Sequence, residues 1–182
     1  MDAGYGLAIG AWHEQGEAVI RASGLPFTFV QPSGFMSNLL AWAPSIKAEG
    51  VMRASTGDGK RAFIHSDDIA DIATRALTTG EHEGASLALT GPEALSFAEV
   101  AARMEAAAGR PIRFEAISDQ EAQRLYTATG APPAEALAHV ALWRAIREGR
   151  LARVTNTVEK VLGRPPIPLD KWVLENAAAF RG

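Results

Sequence analysis

His13 and Glu17 stand four residues apart, so on a helix they share one face, where the carboxylate could orient the imidazole for proton transfer. An ordinary surface pair is the competing reading. The run His13-Glu14-Gln15-Gly16-Glu17 lacks the second histidine of a zinc-protease helix, and His65, His82 and His139 follow no ligand spacing, so no metal site is predicted. Asp67 and Asp68 are adjacent, but successive helical side chains diverge by about 100°. Two such carboxylates suit a helix N-terminus better than a shared proton. Phe35, Met36 and Trp42 follow a short apolar run ending at Pro32. Strand ends of this kind hold ligands in α/β proteins, and a methionine and aromatic cluster suits a flat apolar molecule, although core packing explains the same residues.

Gly4-Tyr5-Gly6 with Gly10 invites comparison with a dinucleotide-binding loop. That fingerprint must follow a strand, and here only Met1-Asp2-Ala3 precede Gly4, with Ile9 where the third glycine belongs. A glycine-containing entry to the first helix is the expectation. The only tyrosines, Tyr5 and Tyr126, are followed four residues later by Ile9 and Gly130, so the Tyr-xxx-Lys pair of short-chain dehydrogenases is absent.

The elements that must position these residues are legible in part. Trp12, Val19 and Ile20 among charged residues predict a helix from Gly10 to Ser23, stopped by Gly24. Pro26 to Gln31 reads as a buried strand, and Gly34 to Lys47 as a second helix. Val51 to Ser55 and Lys60 to His65 flank Gly57-Asp58-Gly59, which predicts a hairpin. Ser66 is expected to cap a helix over 66–79. A second main strand is expected over Ser86 to Thr90, parallel to the first across one crossover. Ser96-Phe97-Ala98-Glu99 is a capping box opening a helix to Ala108, with Gly109 past its end. Ile112 to Ile117 reads as a third strand, Ser118 to Glu121 repeats the capping spacing, and the remainder reads as helices broken at Gly130, Gly149 and Gly163. No repeat and no long linker divides the chain. The expectation is one α/β domain, with residues 1–92 as a Rossmann-like sheet remnant and 93–182 as a mainly helical substrate-binding part.

The 182 residues are 47% hydrophobic and 21% charged, which is globular composition, and the formal charge of −3 comes without any basic block of the kind nucleic acids require. Neither nucleic acid nor membrane is an expected partner. Cysteine is absent, which removes thiolate chemistry, and with no apolar leader the chain is read as cytoplasmic.

Several stretches together resemble the NmrA-like atypical short-chain dehydrogenases/reductases. They are His13-Glu14-xx-Glu17, Ser23 to Pro32, Gly34 to Leu40, Ala62 to Ala70, Leu89 to Phe97, and Gly163-Arg164-Pro165-Pro166. The family includes NAD(P)H:quinone reductases and redox-sensing regulators without catalytic activity. Relatives place a Gly-rich phosphate loop and about four βα units ahead of the helix that here begins near Gly10. The resemblance therefore covers the family's C-terminal part and implies a truncated Rossmann-like fold. It further implies that NAD(P)H is not bound autonomously, only with a partner or a missing N-terminal half. His13 takes the position of the catalytic-type lysine or histidine of relatives, Gln31 stands where many carry arginine, and Pro32, Phe35 and Asn38 would lie near nicotinamide and substrate. The strand over 27–31 is expected to present an unpaired edge, covered by a second copy in a symmetric dimer or by a separate partner. The leading functional expectation is acid/base chemistry on an aromatic or quinone-like molecule. In it His13 and Glu17 are catalytic, and Pro32, Phe35, Met36, Asn38 and Trp42 bind the substrate. The alternatives are a non-catalytic ligand sensor, or an NAD(P)H-dependent reductase whose N-terminal half lies outside this chain.

Overall fold

In the computed structural model, which describes residues 8–181, helix α1 (Ala8–Ala22) leads into strand β1 (Phe29–Pro32). A 3-10 segment (Met36–Trp42) and α2 (Ala43–Glu49) follow, then β2 (Val51–Ala54), β3 (Lys60–Arg61), α3 (Ser66–Thr79) and β4 (Ser86–Leu89). The rest comprises β5 (Leu95–Ser96), α4 (Phe97–Ala108), β6 (Arg113–Ala116), α5 (Asp119–Ala128), α6 (Pro133–Arg147), α7 (Thr157–Leu162) and α8 (Leu169–Glu175). The Gly4-Tyr5-Gly6 motif lies outside the described residues.

The architecture is α/β with small parallel sheets. β1 pairs with β4 in parallel, Phe29 facing Ser86 and Pro32 facing Leu89, so both strands end at one level. This is the arrangement expected of two strands joined by a crossover through α3. The second parallel pair joins β2 to β6. The principal core draws on both halves of the sequence, from Met36, Leu39 and Ile46 to Trp172, Val173 and Phe180, and a smaller cluster gathers Ile64, Ile72, Leu89, Val158 and Val161.

Local signals succeed where a few neighbouring residues decide the outcome. Ser96 Oγ accepts from the Glu99 amide while the Glu99 carboxylate accepts from the Ser96 amide, and Gly109 closes α4 at a φ of 70°. At Ser118 only half of the box forms, because the Glu121 carboxylate turns to Arg124. The helix expected over 34–47 is instead a 3-10 segment followed by α2, with a proline in the first turn of the latter. The expected cap at Ser66 is also corrected: His65 is the cap, its Nδ1 accepting from the Asp67 amide at 3.1 Å.

The predicted hairpin is the main correction. A tight turn does form, with the Gly59 amide bonded to the Thr56 carbonyl at 3.0 Å, but β2 and β3 do not pair with each other. β2 is claimed by β6, and β3 by β5 in an antiparallel ladder. A side chain at Gly59 would run into the Ile146 carbonyl on α6, so helix packing holds the turn aside from hairpin geometry. Beyond β3 the chain passes the end of β1, where Ile64 donates to Gly34 O and accepts from the Met36 amide, each at 2.9 Å.

Candidate active site

The carboxyl ends of β1 and β4 lie level and run into the turns 33–36 and 90–92, the position at which parallel α/β sheets bind ligands. Both turns are built tightly. The Ser33 amide bonds to Leu89 O at 2.9 Å, and Gly91 sits so close to the Phe63 carbonyl that any side chain there would collide with it. Thr90 is buried and tied to Thr155, whose amide donates to Thr90 Oγ1 at 2.9 Å. Beneath Gly34 lies Arg61, only 7% exposed, whose Nε would be 2.5 Å from a β-carbon at that glycine.

The five substrate-side residues named from sequence separate into two groups. Phe35, 37% exposed, and Asn38, also exposed, are open to a ligand, and Pro32 is half-buried at the strand end. Met36 is buried in the principal core. Trp42 is fixed by its indole N–H, which donates to Arg53 O at 2.8 Å, and by rings on both sides: Phe97 edge-on at 5.6 Å and Trp143 stacked at 6.1 Å. Met36 and Trp42 therefore brace the segment on which Phe35 and Asn38 are displayed.

His13 is exposed on α1. The Glu17 carboxylate accepts from Gln31 Nε2 at 2.8 Å and lies 3.6 Å from the Arg21 guanidinium, so its contacts tie α1 to β1 and do not include His13. Arg21 in turn covers the stacked rings of Phe27 and Phe29 and donates to Ser86 Oγ. Arg21 meets Phe29 and Glu17 meets Gln31, so four helical residues, about 6 Å, match two strand residues, about 6.6 Å, in antiparallel sense. Continued by one turn, that register would bring His13 toward the carboxyl end of β1.

A third group escaped the sequence reading. Tyr126 on α5 and His139 on α6 stack with centroids 4.2 Å apart, and Tyr126 Oη lies 3.1 Å from His139 Nε2. Burial holds the imidazole below its ordinary pKa of 6.5, with a smaller push in the same direction from Arg61, while Glu135 opposes both. Burial also raises the Tyr126 phenol. The available signal was the spacing of His139 and Trp143, one helical turn apart, but nothing local shows that Tyr126 packs against them.

Asp68 also has a different role from the one expected. Instead of serving only the helix end, its fully buried carboxylate accepts from Arg164 at 2.6 Å and from the Ile167 amide at 2.8 Å, pinning the segment after α7 to α3. Asp71 takes the other arm of Arg164. Among the described residues no group of three or more His, Asp or Glu side chains is placed to hold a metal, and no helix is long and apolar enough to cross a membrane.

Residues 13–160 match the NmrA-like family, and the chain belongs to it. It is 41% identical over 186 aligned residues to an NAD(P)H azoreductase of Xenophilus azovorans, covering 99% of this chain and 65% of that protein. It is 42% identical over 167 residues to a (4-alkanoyl-5-oxo-2,5-dihydrofuran-3-yl)methyl phosphate reductase of Streptomyces griseus, covering 91% and 58%. Among solved structures, an NADPH-dependent quinone oxidoreductase of Escherichia coli superimposes with a TM-score of 0.83 at 25% identity, over 93% of this chain and 62% of that one. A Citrobacter triphenylmethane reductase shares the fold, with a TM-score of 0.78 at 20% identity over 94% and 59%. The chain thus spans about three fifths of the length of these proteins.

Proposed function

We propose that the chain is the substrate-side part of an NAD(P)H-dependent reductase of aromatic acceptors, quinones or azo compounds. The observation that carries this reading is the 41% identity to an azoreductase along nearly the whole chain, joined to the exposure of Phe35 and Asn38 just past the carboxyl end of a parallel strand. The same relatives favour nicotinamide-dependent reduction over the cofactor-free acid/base chemistry first expected of His13.

The described residues fit the reacting end of such a cofactor, because the turn over 33–38 leaves one aromatic and one amide side chain open beside the strand ends. They do not supply its phosphate cradle: no repeated-glycine turn from strand to helix N-terminus is found among them. A bound dihydronicotinamide would supply hydride to the acceptor. The chain's own residues would do the rest. Phe35 stacks on the aromatic acceptor and Asn38 hydrogen-bonds its polar edge, while Arg61 supports the turn under Gly34. His13 stands where a proton could be delivered, and Glu17 acts by holding α1 against β1. The protein is further read as cytoplasmic and dimeric. β1 has only β4 as a strand partner among the described residues, and a second copy would cover its other edge.

The test is calorimetry of the purified protein with menadione, an azo dye, NADPH and NADH, alongside loss of NADPH absorbance in the presence of each acceptor. Aromatic acceptors should bind. His13→Ala should leave their affinity within about twofold while lowering turnover by roughly a hundredfold, the scale of a lost proton donor. Absence of acceptor binding up to roughly 1 mM would remove the proposal.

A further inference from the structure

His65 is buried where three parts of the fold meet. Its Nδ1 accepts from the Asp67 amide and so caps α3, and its Nε2 lies 3.3 Å from a carboxylate oxygen of Glu175 on α8. Its chain neighbour Ile64 holds the turn at 33–36, bonding to the Gly34 carbonyl and the Met36 amide. An amide N–H can only donate, so Nδ1 must offer a lone pair. The neutral ring therefore carries its one proton on Nε2, and that N–H donates to Glu175. Glu175 is suited to accept it, because Lys171 first and His65 after it hold its carboxyl below the ordinary range.

A second proton has only Nδ1 to go to. There it would meet the Asp67 N–H, donor against donor, so a charged ring cannot cap α3 in this way. The surroundings nevertheless accommodate the charge. The Asp67 carboxylate stands 3.8 Å from Nδ1 and Glu175 faces the other nitrogen. The cations on this side are committed elsewhere, Lys171 to Glu175 and Arg164 to Asp68 and Asp71. One ring thus has two arrangements of opposite consequence. Neutral, it closes the first turn of α3; charged, it gives up that cap for an ion pair with Asp67.

We propose that His65 is a proton-operated positioning residue: neutral, it holds the turn that leads to Phe35 and Asn38, and on taking up a proton it releases the start of α3 and, through Ile64, loosens that turn. Protonation would then weaken binding at the strand ends. That last consequence rests on the aromatic-acceptor reading above, whereas the coupling of the ring to the turn does not.

NMR spectroscopy of the unliganded protein from about pH 8 to about pH 5, the range in which imidazoles take up protons, tests the coupling. The Asp67, Ile64 and Met36 amide signals should move together with the His65 ring signals. Exchange of the Met36 amide, corrected for its intrinsic pH dependence, should quicken about fivefold, the scale of a lost helix cap. His65→Asn, whose side chain caps a helix but takes up no proton, should leave those amides unmoved. Menadione affinity, measured by calorimetry over the same range, should fall about fivefold in the unsubstituted protein and stay within about twofold in the variant. Amides that ignore the ring's titration, a ring that takes up no proton before the protein unfolds, or amide movements that persist in His65→Asn overturn the inference, and the unsubstituted protein's spectra decide alone should the variant not fold. A menadione affinity that does not follow the amides overturns it as well. Failure of menadione to bind at any pH removes the aromatic reading and leaves the coupling to be judged by the amides.

Discussion

The side of the molecule built from α4, α6 and α8 and the side built from α1, β1 and α3 solve the problem of burial differently. On the first, Phe97, Met104, Ile146, Trp172 and Phe180 interlock in one continuous core, and Leu137 and Leu174 are exposed singly. On the second, the buried cluster is small, and Trp12, Val19, Ile20, Leu25 and Leu77 all face outward from α1, its following loop and α3. The polar contacts differ accordingly. The first side uses them to finish helix ends, as at Ser96 and Glu99, and to tie helices that already share the core, as Arg103 of α4 to Asp170 of α8 and Arg144 and Arg147 of α6 to Asp119 of α5. The second, with less core, relies on them to join its elements: Glu17 to Gln31, Arg21 over Phe27 and Phe29, and Asp68 to Arg164 and Ile167. A region with little apolar burial of its own depends on directed bonds and on whatever covers its outer face.

The largest expected effect comes from cutting such a bond. Asp68→Ala leaves the Ile167 amide and one arm of Arg164 without their acceptor. Because Arg164 is 37% exposed and partly screened, the expected loss is about 2 to 3 kcal/mol, or a fall in Tm of roughly 4–12 °C, read by thermal and urea unfolding. Asp71→Ala, at an exposed partner of the same arginine, should cost less than about 0.5 kcal/mol. Equal effects would erase the distinction between a buried tie and a surface pair.

On the well-packed side, Ser96→Ala should cost about 1 kcal/mol through loss of the α4 cap. The Ser96 amide, then Lys60, lowers the Glu99 carboxyl from its ordinary 4.5 to about 2. Its contribution is therefore complete above about pH 4.5 and is lost as pH falls toward 2. Glu99→Gln should flatten that part of the acid limb in pH-dependent urea titrations, and an unchanged limb would show that the capping box carries none of it.

The smallest effect on folding should come from Leu77→Glu, since Leu77 is 87% exposed: less than about 0.5 kcal/mol within one chain. Its effect on association should be larger. If a second copy covers the α1, β1 and α3 side, light scattering over roughly 1–100 µM should show the dimer shifting to monomer in the variant. An unsubstituted protein that is already monomeric over that range would reject the contact.

The sequence by itself set what depends on residues a few positions apart. The Ser96–Glu99 box, the glycine stops at Gly109 and Gly163, and the alternation that makes β1 and β4 parallel were legible because caps, left-handed turns and crossovers are short-range consequences of residue type. Position after a strand pointed equally to Phe35, Met36 and Trp42, and the family resemblance to Asn38; which of them would be exposed, Phe35 and Asn38, and which packed, Met36 and Trp42, was left to the fold. Only the tertiary structure decided partners. Strand edges accept any backbone, so the Gly57-Asp58-Gly59 turn could not reveal that β2 would go to β6 and β3 to β5. A carboxylate takes whichever donor the fold delivers, so Glu17 turned from His13 to Gln31, and Asp68 found Arg164 across 96 positions of sequence. The Tyr126–His139 couple arose likewise, where two helices of a hairpin bring their rings face to face. Hydrogen bonds between side chains are fixed by distance in space, and distance in space is settled by how the whole core packs.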